Sequence, residues 1–124
     1  MSFESNIESD PLKDKKESIL ERLPKEGLTE DLRKEITEWR GRRLEQIGTY
    51  PTMAGRITVN YEMAQFYEYA SDINTMFVEL DEARSTALAE IDNPLNGQEI
   101  IDELKEILEK IEARIREMEQ KYPA

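Results

Sequence analysis

The chain has 124 residues, 38% of them hydrophobic and 36% charged, and carries a formal net charge of −11. That length accommodates one domain with one main core. Cysteine and histidine are both absent, which excludes disulfides, thiolate metal sites, cysteine nucleophiles and imidazole-based acid–base or zinc chemistry.

Residues 1–10 are polar apart from Phe3 and Ile7, and read as an arm ahead of a single all-α domain over 11–124. Asp10-Pro11 is a helix start, because Asp accepts from free N–H groups and Pro fits the first helical position. Leu12, Ile19, Leu20 and Leu23 share a face, and Pro24 with Gly27 ends a first helix over 11–23. Thr29 caps a second helix over 30–47, with Glu30 and Asp31 placed against the positive end of its dipole. Leu32, Ile36, Trp39 and Ile47 give this helix one apolar stripe. Thr49-Tyr50-Pro51-Thr52 interrupts the pattern.

Beyond it, Val59, Met63, Phe66, Ala70, Ile73, Phe77, Leu80, Ala87 and Ile91 keep an alternating four-three rhythm, broken only by Arg84. This predicts one helix over about 54–92, roughly 58 Å long at 1.5 Å per residue. The stretch Arg56-Ile57-Thr58-Val59-Asn60-Tyr61 also alternates like a strand, so residues 56–61 are readable as helical or extended. Asp92-Asn93-Pro94-Leu95-Asn96-Gly97 predicts a tight reversal, with Asn93 left-handed and Asn96 capping a final helix. Ile101, Leu104, Leu108, Ile111, Ile115 and Met118 then place that helix over 97–121. A loop this short sets the two helices antiparallel. The expected fold is all-α, a helical bundle built on a long antiparallel coiled-coil-like hairpin (54–92 and 97–121) with two shorter N-terminal helices.

The last helix reaches only part way back along a helix of 54–92. The uncovered part is apolar nearly all round, and such a helix is normally covered on more than one side. Val59, Met63, Phe66, Tyr67, Tyr69, Ala70, Ile73, Phe77 and Leu80 are therefore expected to form an interface with another copy or another protein. Arg84, on the seam, is expected to turn outward toward Asp81 or Glu119, with Ala83 or Leu88 replacing it in the packing.

No phosphate-binding glycine loop, nucleophile elbow or cofactor motif occurs. The pairs Glu35/Glu38 and Glu79/Glu82 have the spacing that magnesium-binding helices of an all-α nucleotide pyrophosphohydrolase would use. Their ExxD partner is missing, and solvated helix faces account for the glutamates more simply. Arg40, Arg42 and Arg43 form the one basic cluster, read either as cations favourable to a helix C-terminus or as a contact for an anion or an acidic partner.

Charge is uneven. Residues 1–51 carry 10 basic and 12 acidic side chains, net −2, whereas residues 52–124 carry 7 and 16, net −9. An acidic half repels phosphates, so direct nucleic-acid binding is not expected. Neither a secretory leader nor an apolar span is visible, so the expected setting is the cytoplasm, or a virion for a viral protein. The expectation is thus a non-enzymatic structural or interaction protein without cofactor, metal or catalytic residues: a small acidic helical oligomer or adaptor, in keeping with a phage or viral assembly or accessory role. An acidic inhibitor or immunity-type protein that occupies a basic site is the alternative, and the magnesium-dependent hydrolase a distant one.

Overall fold

The computed structural model describes residues 11–48 and 53–123, so the expected arm over 1–10 and the break over 49–52 lie outside the described residues. The fold is all-α. Five helices follow one another: α1 (Pro11–Glu26), α2 (Glu30–Ile47), α3 (Met53–Tyr69), α4 (Ile73–Ile91) and α5 (Gln98–Lys121).

α1 continues past its expected end at residue 23, because Pro24 keeps a helical φ and removes one N–H only. The stop comes at Gly27, whose φ of 71° is left-handed and whose N–H donates to the Leu23 carbonyl at 2.8 Å. α2 starts and stops where expected. The Thr29 hydroxyl accepts from the Leu32 N–H at 3.1 Å, and Leu32, Ile36 and Trp39 are buried. Trp39 fixes α1 on α2. Its indole N–H donates to the Leu12 carbonyl at 3.0 Å, and its ring meets Phe66 of α3 edge-on at 5.1 Å.

The main correction concerns the helix expected over 54–92, which the structure divides. Residues 53–69 are helical, including 56–61, and the Thr58 hydroxyl donates back to the Ala54 carbonyl at 2.9 Å. The chain then reverses at Ala70-Ser71-Asp72. Ser71 has a φ of 63°, its N–H donates to the Glu68 carbonyl at 3.0 Å, and the Asp72 N–H donates to the Tyr67 carbonyl at 2.9 Å. This pair of bonds is a Schellman stop, which satisfies carbonyls that the ended helix would otherwise leave free. Asp72 then caps α4, accepting from the Thr75 N–H at 3.3 Å. α3 and α4 consequently pack along each other as an antiparallel pair, and α5 returns against both.

The rotation of α4 also differs from the expected seam. Met76, Leu80, Ala83 and Ala87 are its buried residues. Arg84 points outward to Asp81 at 3.0 Å and Ala83 takes its place in the core, as expected. At the last reversal Asn93 is not left-handed; its side chain accepts from the Leu95 N–H at 3.0 Å. Asn96 does not cap α5 but donates to the Glu90 carbonyl at 2.7 Å, closing the turn from within, and Gly97 stands at the cap position.

Two apolar clusters result, both built on α3. Ile57 and Ala64 join Met76, Leu80, Ala83 and Ala87 of α4 and Leu104, Ile111, Ile115 and Met118 of α5. Val59, Met63 and Phe66 join Ile19 and Leu23 of α1 and Leu32, Ile36 and Trp39 of α2. The α1–α2 and α4–α5 hairpins thus lie on opposite sides of one central helix.

The left-handed Ser71 provides a direct test of the break. Glycine adopts that conformation without the Cβ clash that costs other residues about 1–2 kcal/mol. Ser71→Gly is therefore expected to raise stability by about 0.5–1 kcal/mol in urea unfolding. In an unbroken helix the same change would lower it.

Candidate functional site

The nine residues expected at an interface do not form one surface. Val59, Met63, Phe66 and Leu80 are core side chains, with Phe66 at 0% exposure. Tyr67, Ala70, Ile73 and Phe77 are half-buried against the same clusters. Tyr69 alone is exposed, at 45%. The reason is the reversal at 70–72. It folds α4 onto one side of α3 while α1 and α2 cover the other, so the chain itself covers the apolar circumference.

Charged residues join the helices through three carboxylates, each held by two cations. Glu35 of α2 receives Lys15 at 2.7 Å and Arg22 at 2.8 Å from α1. Glu62 of α3 receives Arg43 of α2 at 3.0 Å and Lys16 of α1 at 3.6 Å. Glu68 of α3 is buried and receives Arg114 at 2.7 Å and Lys121 at 2.9 Å from α5. A buried carboxylate is tolerated only with such partners, since losing them would leave an uncompensated charge.

These contacts decide the basic cluster. Arg43 belongs to the Glu62 knot and bridges α2 to α3. Arg40 and Arg42 are exposed and lie on different clefts. Arg40 shares a cleft of about 550 Å³ with Arg56, Asn60 and Thr86, above Leu44, Met53 and Ile57. Arg42 lines a second, of about 540 Å³, with Leu12 and Trp39. Sequence reasoning missed Arg56, Asn60 and Thr86. They meet Arg40 only because α2, α3 and α4 come together, and an unbroken helix over 54–92 would carry Thr86 far from Arg56 and Asn60.

The glutamate pairs take separate roles. Glu35 is engaged with α1, and no group of three or more acidic side chains able to hold a metal ion occurs among the described residues. Glu79 has its carboxyl pushed above the usual range, first by burial and then by Glu82, with Arg40 pulling it back down. Among the described residues no helix is long and apolar enough to cross a membrane. Comparison with known protein families, curated proteins and solved structures finds no match to this chain.

Hydrogen bonds from Arg22 and then Lys15 hold the Glu35 carboxyl at about 2, below the ordinary 4.5. A depressed folded-state value means that the knot contributes fully above the ordinary value and is lost as pH falls from 4.5 toward 2. Both cations are well exposed, so screening reduces the effect to about 1 kcal/mol. Glu35→Gln is expected to lose that stability at neutral pH and to converge with the wild type in acid, as measured by urea unfolding across the range. The opposite sign is expected for Glu79. Its raised value makes the ionised form a cost to the fold above that value, so Glu79→Gln should raise the melting temperature at neutral pH.

Proposed function

We propose that the chain is a non-enzymatic interaction protein, a small acidic helical adaptor or oligomer subunit that engages its partner through the outer surface of the α4–α5 hairpin. The observation that carries this reading is the segregation of charge across α3. Residues 73–121 carry 6 basic and 13 acidic side chains, net −7, whereas residues 11–47 carry 10 and 9, net +1. Four of the five large apolar side chains left exposed among the described residues, Val78, Leu88, Leu95 and Ile100, belong to the same acidic hairpin. Leu95, at 91% exposure, stands at its tip. An acidic surface carrying isolated apolar anchors suits a partner with a basic, partly apolar face, because charge steers the encounter and apolar groups hold the contact. The same asymmetry supports a second reading, an inhibitor or immunity-type protein whose hairpin occupies a basic site on its target. Either role belongs in the cytoplasm, or in a virion for a viral assembly or accessory protein.

Phe66→Glu would test the core and not an interface, so the informative substitutions lie on the hairpin. Because two acidic hairpins repel each other, self-association would set this hairpin against the near-neutral α1–α2 side of another copy, and light scattering on a sizing column at low and high salt is then expected to give a multiple of 14.5 kDa for the wild type. The Leu88→Glu/Leu95→Glu variant is expected to give the monomer mass while keeping the helical circular dichroism of the wild type, with a melting temperature lowered only by the lost association. A wild-type monomer at every salt concentration removes self-association. Binding to a basic partner that ignores salt removes the acidic surface as its cause.

A further inference from the structure

The cleft between α2 and α4 has an unusual combination of features for a protein of net charge −11. Two of its lining side chains are arginines from different helices, Arg40 and Arg56. Neither makes an ion pair or side-chain hydrogen bond among the described residues, although carboxylates are abundant and three of them each hold two cations elsewhere. Arg40 acts on Glu79 only at longer range. Asn60 and Thr86 add neutral hydrogen-bonding groups, while Leu44, Met53 and Ile57 supply an apolar surface. Glu45 is the one acidic residue at the edge. The volume, about 550 Å³, lies within the range of small-molecule sites, about 300–1,000 Å³.

We infer that this cleft binds a small amphipathic carboxylate, with its apolar body over Leu44, Met53 and Ile57 and its charged head between Arg40 and Arg56. Guanidinium groups suit that head, since their fixed fork of N–H donors matches a carboxylate and they are weakly hydrated. The cleft lined by Arg42 is a poorer site for an anion, because its other cation, Lys15, is already held by Glu35 and its lining adds the carboxylate of Glu38. This binding is independent of the hairpin surface argued above, so either proposal stands if the other fails.

The test is a fluorescence titration of the full chain with anilinonaphthalene sulfonate, an apolar anion, followed by displacement with decanoate or with uncharged decanol. A saturable signal is expected, with decanoate displacing it at least about tenfold more effectively than decanol. Arg40→Gln and Arg56→Gln should each weaken decanoate about tenfold, the scale of one hydrogen bond to a charged group. Thr86→Trp should remove the signal by filling the cleft. Arg42→Gln should leave it unchanged. Near-UV circular dichroism must stay native throughout, since dye uptake by a loosened core would also give fluorescence. Equal displacement by decanoate and decanol overturns the proposal, as does loss of the signal in Arg42→Gln with retention in the Arg40 and Arg56 variants. If Thr86→Trp fails to fold, the two arginine variants decide alone, because neither arginine makes an ion pair or side-chain hydrogen bond among the described residues.

Discussion

Everything in this fold depends on α3 being buried on two opposite faces. Ile57 and Ala64 enter one cluster while Val59 and Phe66, each two residues further on, enter the other. Two residues correspond to about 200° around a helix, so these pairs point in nearly opposite directions. A helix apolar on two opposite faces can give neither to water, and the chain satisfies it by placing one hairpin on each side. The α1–α2 and α4–α5 hairpins therefore meet only through α3, and grooves run between them. The cleft lined by Arg40 and Arg56 is one of these grooves.

The polar groups follow the same plan. Glu62 ties α3 to α1 and α2, and Glu68 ties it to α5, so each hairpin is held by a carboxylate of the central helix as well as by apolar contact. Apolar packing is tolerant of small shifts and rotations, whereas a buried carboxylate is not, because moving its cations leaves a charge without compensation. The buried Glu68 thus fixes how α5 sits along α3, while the partly exposed Glu62 adds a weaker tie to α1 and α2. They also separate structural cations from available ones: Arg43 is engaged at Glu62, and Arg40 and Arg56 are left facing a cleft.

Much of the local structure was legible because its causes are local. The cap at Thr29, the stop of α2 at Gly48, the reversal after Ile91 and the outward turn of Arg84 follow from short-range hydrogen bonding and helical periodicity. The break at 70–72 was not legible by the same means. Ala70 and Ile73 preserve the four-three rhythm across it, so the pattern of a long seam survives although the helix does not. Ser71-Asp72, two residue types that favour caps over helix interiors, was the one local sign. The candidate site fared worse than the fold. Residues expected at an interface became core once α4 folded back, and of the basic cluster only Arg40 reached the cleft now proposed to bind a ligand.

The sequence by itself determined that the chain is all-α, where most of its helices begin and end, that α3 must be covered on more than one side, and that acidity is concentrated toward the C-terminus. These are properties of composition and of spacing within single helices. Only the tertiary structure decided what covers α3, because apolar side chains accept any apolar neighbour, from the same chain or another. The choice fell to a three-residue reversal whose left-handed Ser71 turns the chain back on itself. That turn converted an expected interface into a core, and brought residues of three helices together around a cleft that no spacing in the sequence reveals.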